Sequence, residues 1–261
     1  MTQTARPERP REPIEGGSDN LDLIEALAET VTPDDPALAD WCRVYARNAA
    51  PRLAHDLAIV ERCLPRGARV LEIGAIPPLL TAALQHRGFR VDGVDVAPDR
   101  FATAIAGLGL ALHRCDVETE RLPATDACYD AVLFNEIFEH LRINPIFTLR
   151  EILRVLRPGG LLFLSTPNLR SLRGMYNFLF RHRAHTCEGS VYRQYEKLET
   201  LGHMGHVREY TPVEVREFLE EIGFEISSIH FRGKYSSLVA RAAAACVPSW
   251  RPLVTFVAVR P

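Results

Sequence analysis

Apolar residues recur at intervals of three and four from Leu21 to Leu64, and from Arg69 onward the pattern changes to short apolar runs separated by turn residues. The first pattern predicts helices packed on one face, with Thr32-Pro33 supplying a cap and a first-turn proline for one of them. The second predicts strands at 69–73, 90–95, 109–113, 130–134, 160–166, 224–231 and 252–259, with helices between most of them at 78–87, 98–106, 145–156 and 212–222. The last helix is marked at both ends, by a capping box at Thr211-Pro212-Val213-Glu214 and a stop at Gly223. Such alternation predicts a doubly wound α/β architecture: a mostly parallel sheet, helices on both faces, and ligands at the carboxyl ends of the strands. It lapses between Thr166 and Tyr210, where residues 167–206 carry six Arg or Lys against three Glu and form a basic insert. The expected divisions are a disordered tail over 1–20, polar and rich in Pro and Arg, an N-terminal helical cap over 21–64, and the α/β domain over 65–261.

Composition narrows the function classes. A net charge of −2 argues against a general nucleic-acid binder. No apolar run is long enough to span a bilayer, and the amino-terminal residues have no apolar signal core, so a cytoplasmic protein is expected. The six cysteines (42, 63, 115, 128, 187 and 246) form no CxxC pair, which fits reduced thiols with a packing role.

The first strand runs into "LEIGAIPPLL", residues 71–80. A dinucleotide site needs further glycines here so that backbone amides can approach a pyrophosphate, whereas Ile76 and Pro78 stand in those places and Pro77 and Pro78 remove two donors. S-adenosylmethionine has no pyrophosphate; it needs one tight turn under its methionine part and carboxylates for its ribose and adenine. Pro78 then starts a helix at little cost. Asp95 ends the second strand 21 residues after Gly74, the spacing at which such folds hold a ribose diol. Asp116 follows the third strand, placed to accept from the adenine amine. Either aspartate alone could be only the cap of a strand-to-helix turn; two of them in register with a glycine turn favour a cofactor site.

The pieces "VLEIGA", "VDGVDVAP", "CDVETERLPATDACYDAVLFNEIFEHL", "REILRVLRPGGLLFLSTPN" and "GHVREYTPVEVREFLEEIGFEI" occur in one order over roughly residues 68–230. As a set the chain resembles the class I S-adenosylmethionine-dependent methyltransferases, in the broad group of the ubiquinone-pathway O-methyltransferases. The resemblance implies a Rossmann-like seven-stranded sheet with its last strand antiparallel, and cofactor roles for Glu72, Gly74, Asp95 and Asp116. Asn135, at the end of the fourth strand, is placed with them. Ile76 and Pro78 depart from the family's glycines at the methionine end of the pocket.

"NEIFEHL", residues 135–141, follows the fourth strand at the ligand-binding edge. If it opens a helix, Glu136, Glu139 and His140 share one face at i, i+3 and i+4. Two carboxylates and an imidazole suit a divalent ion such as Mg²⁺ or Mn²⁺, which could bind an acceptor oxygen and lower its pKa. His206 in "HMGHVREYT" offers a fourth ligand. The combination of ExxEH with HxxEYT resembles the metal site of methyltransferases that modify the terminal ribose of small RNAs, which implies Glu136, Glu139, His140 and His206 as ligands. A metal-free alternative makes His140, with Glu136 beside it, the catalytic base for a hydroxyl; the bland alternative is a solvated acidic face. His203 is a lone extra histidine, expected at the surface.

The expected acceptor is a hydroxyl of a saccharide or other small molecule, the saccharide by analogy with glycan-assembly enzymes. The insert stretch 168–185 mixes Arg with Leu, Met, Tyr and Phe. As an amphipathic helix it could lie on a membrane surface, but packing its apolar face on the domain is the favoured expectation. Two other readings remain open: methylation of an RNA-terminal ribose, and a catalytically silent fold that binds cofactor or a partner.

Overall fold

The computed structural model describes residues 18–187, 189–200 and 205–261. Seven strands, β1 (Arg69–Ile73), β2 (Arg90–Asp95), β3 (Ala111–Arg114), β4 (Tyr129–Asn135), β5 (Leu156–Pro167), β6 (Glu225–Arg232) and β7 (Leu253–Val259), form one sheet in the order β3-β2-β1-β4-β5-β7-β6. The first five pair in parallel, while β7 runs antiparallel to both β5 and β6. The chain order reverses between β1 and β4, and a ligand crevice is expected beyond their carboxyl ends.

Continuous apolar strands serve two cores at once, because successive side chains leave opposite faces. In β4, Ala131 and Leu133 join one core, while Val132 and Phe134 join the other. The first face is covered by α1 (Ser18–Thr30), α2 (Ala39–Cys63), α3 (Leu79–His86) and α4 (Ala102–Gly107), the second by α5 (Pro145–Val155) and α8 (Pro212–Ile222). The N-terminal helices are continuous with the domain: Ile24, Cys42 and Leu57 share a core with Val70 and Leu133.

Most predicted elements stand where the pattern placed them. The helix expected over 98–106 is divided into a 3-10 turn, Pro98–Phe101, and α4. The third strand starts two residues later than expected because Gly109 takes a left-handed turn at φ +62°. The tail expected over 1–20 falls on undescribed residues up to 17, and α1 already begins at Ser18. The insert holds α6 (Leu172–Arg181) and α7 (Val191–Thr200). Its apolar face does not pack inward as expected: Phe178, Leu179 and Phe180 are exposed, and α6 buries Gly174 and Asn177 instead. Between β6 and β7 lies an unpredicted helix, α9 (Leu238–Cys246). Two cysteines expected inside, Cys63 and Cys246, are exposed. Among the described residues no helix is long and apolar enough to cross a membrane.

Candidate active site

A cavity of about 600 Å³ opens at the carboxyl ends of β1, β2 and β4. Gly74 leaves β1 at φ +76° and donates to Val94 O at 2.9 Å; a Cβ there would overlap the Ile137 side chain, so the turn requires glycine. Ile76 lines the wall beyond it. Pro78 directly precedes α3, where a proline's missing N–H leaves no bond unmade. Asp95 and Asp116 both line the cavity, and each also accepts a backbone N–H two residues on, from Ala97 at 2.9 Å and Glu118 at 3.0 Å. Capping its turn and facing the cavity are compatible for each aspartate, since one oxygen serves the turn. Asn135 lines the same space, and its buried Oδ1 has no hydrogen-bond partner among the described residues. A tight glycine cradle, two carboxylates and an unpaired buried acceptor together fit an adenosylmethionine-sized ligand. Trp41 and Tyr45 of α2, their rings stacked 5.4 Å apart, reach the cavity from the N-terminal helices.

Glu72 is placed differently from its neighbours. It is buried beneath the loop, outside the cavity lining, and accepts from Thr81 Oγ1 at 2.5 Å. Burial pushes its carboxyl up to about 7 against the opposing Thr81 bond.

The other end of the cavity is built by "EIFEH". The segment does not open an α-helix: Glu136 is left-handed at φ +56°, and only the 3-10 turn Phe138–His140 follows. The Glu139 carbonyl accepts from Val207 N at 2.9 Å, which draws His206 beside the turn. Ligand atoms of Glu139, His140 and His206 consequently lie within 4.8 Å of one another, and the two imidazole rings meet edge to face. Glu136 is not part of this group. Its Oε1 accepts from Ser165 at 2.9 Å and faces Arg232 at 3.4 Å, so the left-handed turn aims it away from the other two motif residues. Three of the four expected metal ligands are thus gathered, and Glu136 and His140, the expected acid–base pair, both line the cavity without sharing one helical face. His203 lies outside the described residues.

The protonation of this group is partly fixed by its partners. His140 Nδ1 stands 2.9 Å from the Gly205 carbonyl, which can only accept, so Nδ1 carries the proton and Nε2 keeps a lone pair. Burial, helped by the nearby His206, lowers His140 to about 4 and keeps it neutral. Glu139 Oε2 accepts from Thr166 at 2.9 Å, whereas its Oε1 is buried with no hydrogen-bond partner among the described residues. Burial and the Glu136 carboxylate push Glu139 up to about 8. His206 behaves oppositely: although burial opposes it, bonds with Cys187 and Glu209 raise it to about 10. An orphaned carboxyl oxygen, a lone-pair nitrogen and a second imidazole fit a divalent ion, which would displace the Glu139 and His206 protons on binding.

Sequence reasoning missed several functional candidates. Glu209 is the E of HxxEYT, yet its work is local: it accepts from Thr186 N and holds His206 Nδ1 at 2.9 Å, with Cys187 completing the group. Arg52, Asp56, Glu136 and Arg232 form a charge cluster in which Asp56 and Arg232 are buried and the other two half-buried, with Arg232 3.5 Å from Asp56 and 3.4 Å from Glu136. Arg52 and Asp56 are one helical turn apart, a spacing that reads as a solvated pair, and Arg232 lies far along the chain; no local signal joins them.

A parallel sheet with an antiparallel final strand pair, a glycine turn after β1 and acids after β2 and β3 define the class I S-adenosylmethionine-dependent methyltransferase fold. Residues 45–229 match the family model described as a methyltransferase domain, and the chain belongs to this family of class I S-adenosylmethionine-dependent methyltransferases. Among curated proteins it is 34% identical over 106 residues to the ubiquinone biosynthesis O-methyltransferase of Xanthomonas oryzae pv. oryzae, covering 39% of this chain and 44% of that protein. It is 36% identical over 114 residues to the protein of the same name from Xanthomonas axonopodis pv. citri, covering 42% and 47%. The match therefore spans less than half the length of these relatives. Among solved structures, a Thermotoga maritima S-adenosylmethionine-dependent methyltransferase titled a possible histamine N-methyltransferase superimposes with a TM-score of 0.56 at 17% identity, over 86% of this chain and 97% of that one. At that identity the likeness concerns the fold.

Proposed function

We propose that the protein transfers a methyl group from S-adenosylmethionine to a hydroxyl oxygen of a small molecule, beside a divalent-ion site formed by Glu139, His140 and His206. One observation carries the reading: a single cavity is lined by Asp95 and Asp116 at one end and by Glu139, His140 and His206 at the other. Gly74, Asp95, Asp116 and Asn135 would hold the cofactor, and Glu72 would support the loop from beneath. The cofactor supplies an electrophilic methyl on a sulfonium, so the protein must align an oxygen with it and remove a proton.

The residues present can perform both tasks. An oxygen aligned with the bound cofactor would take its methyl carbon, the electrons of the broken carbon–sulfur bond leaving with sulfur as a neutral thioether. With no ion bound, the hydroxyl proton goes to His140 Nε2, whose lone pair is kept available by the Nδ1–H bond to the Gly205 carbonyl. Glu136, fixed by Ser165 and Arg232, acts on that imidazole through its charge rather than by contact and favours the proton's arrival. A bound divalent ion would instead occupy the His140 lone pair and lower the pKa of the acceptor hydroxyl, whose proton would then pass to solvent. The matched relatives are named for O-methylation in ubiquinone biosynthesis, which supports an oxygen acceptor and moves a saccharide away from first choice.

Electron paramagnetic resonance of Mn²⁺ with S-adenosylhomocysteine present tests the ion site. Wild type is expected to bind Mn²⁺, and His206→Ala to lose that binding while retaining S-adenosylhomocysteine. No Mn²⁺ binding by wild type would remove the ion from the account and leave His140 as the base alone.

A further inference from the structure

A second cavity, of about 930 Å³, lies between α2, the end of β6 and the loop that carries α9. It shares Arg52 with the first cavity, and Arg232 in its wall contacts Glu136 in the first. Among the described residues its lining includes five cations, Arg52, Arg232, Lys234, Arg241 and Arg251, and no carboxylate, although the chain as a whole carries a net charge of −2. The remaining wall is mostly apolar, with Phe231 and Leu253 opposite the small residues of α9.

The charges fall into two sets. Arg52 and Arg232 are set against the carboxylates of Asp56, which is buried, and Glu136, which lines the first cavity, so that set is balanced. Arg241 and Arg251 face no carboxylate among the described residues that line the cavity, and a cleft lined by one sign of charge concentrates counter-charge. The loop that presents them is anchored. Tyr235 donates to Trp250 O at 2.7 Å, and Asn168 Nδ2 donates to the carbonyls of Ser249 and Arg251 at 2.8 Å each.

We propose that this second cavity binds the acceptor through an oxyanion, a phosphate or carboxylate on an apolar body, and presents the acceptor's hydroxyl across Arg52 to the first cavity. The inference rests on the methyl-transfer reading for the word acceptor; the anion site itself does not. Arginine matches the paired oxygens of both groups, and the apolar wall takes the body. The volume lies in the range of cavities that enclose small ligands.

The test is calorimetric titration of the full chain with phenyl phosphate and with benzyl alcohol, its neutral counterpart. Phenyl phosphate is expected to bind and benzyl alcohol to bind far more weakly. The double variant Arg241→Gln, Arg251→Gln should weaken phenyl phosphate by roughly tenfold or more, with the melting temperature and S-adenosylhomocysteine affinity of wild type. Co-sedimentation with phosphatidic acid vesicles but not phosphatidylcholine vesicles, lost in the double variant, would assign the oxyanion to a lipid headgroup. Its absence, with phenyl phosphate binding intact, would assign it to a soluble ester. Equal affinity for the charged and neutral probes, or an unchanged affinity in the double variant, overturns the proposal. Failure of wild type to bind S-adenosylhomocysteine would instead strike the methyl-transfer reading and leave the anion result standing.

Discussion

Single residues at the cavity are governed by their immediate surroundings, and those surroundings decide which of them could be read from sequence. The places of Gly74, Asp95 and Asp116 at the cavity were legible because each depends on a strand end and a turn next to it in the chain. Glu136 was only half legible: its place at the ligand edge followed from the strand before it, but its left-handed backbone, which turns it toward Ser165 and Arg232, has no sequence signature for a glutamate. Glu72 yields a pH prediction. Its native carboxyl titrates near 7, while the unfolded chain titrates near the ordinary 4.5. Between those values the native state keeps a proton that the unfolded chain has released, so stability falls as pH rises through that window. Glu72→Gln leaves Thr81 an acceptor and removes the titration. Its melting temperature relative to wild type should be higher at about pH 8 than at about pH 5; an identical difference at both would show that Glu72 does not titrate there.

At the level of elements, the gathering of Glu139, His140 and His206 depends on two short segments rather than on one helix. The turn Phe138–His140 and the stretch 205–211 are joined through the Glu139 carbonyl and the Phe138 and Tyr210 rings, whose centres lie 4.6 Å apart, while the isolated bridge between Asn168 and Tyr210 ties the stretch to the residue after β5. The helical reading of ExxEH placed three ligands on one face; a left-handed residue followed by a 3-10 turn brings two of them to His206. The cap of α8 anchors the second segment and was plain in the sequence, because a capping box needs only residues three apart. Thr211 accepts from Glu214 N at 3.3 Å, and Glu214 Oε2 accepts from Thr211 N at 2.7 Å. Thr211→Ala should cost about 1 kcal/mol in a urea denaturation series, with S-adenosylhomocysteine affinity unchanged. A cost indistinguishable from zero would mean the stretch is held by its tertiary contacts alone.

The whole molecule was legible as a class because parallel strands buried on both faces write long apolar runs into the chain, and the strand-helix alternation then admits few topologies. What escaped was assembled from distant pieces. Arg52 on α2 and Arg232 at the end of β6 meet only once the N-terminal helices close over the sheet, and the cationic cavity beside them draws on three separate stretches. The exposed aromatic face of α6 escaped for the opposite reason, since an amphipathic pattern says that a face is apolar but not what covers it.

The claim on which the rest depends is that the cavity beyond β1, β2 and β4 holds S-adenosylmethionine through Asp95. Calorimetry with S-adenosylhomocysteine on wild type and Asp95→Ala tests it most directly. Saturable binding by wild type, weakened by roughly tenfold or more in the variant through loss of charge-assisted bonds to the ribose, is the result expected. No binding by wild type, or equal affinity in both proteins, would contradict it.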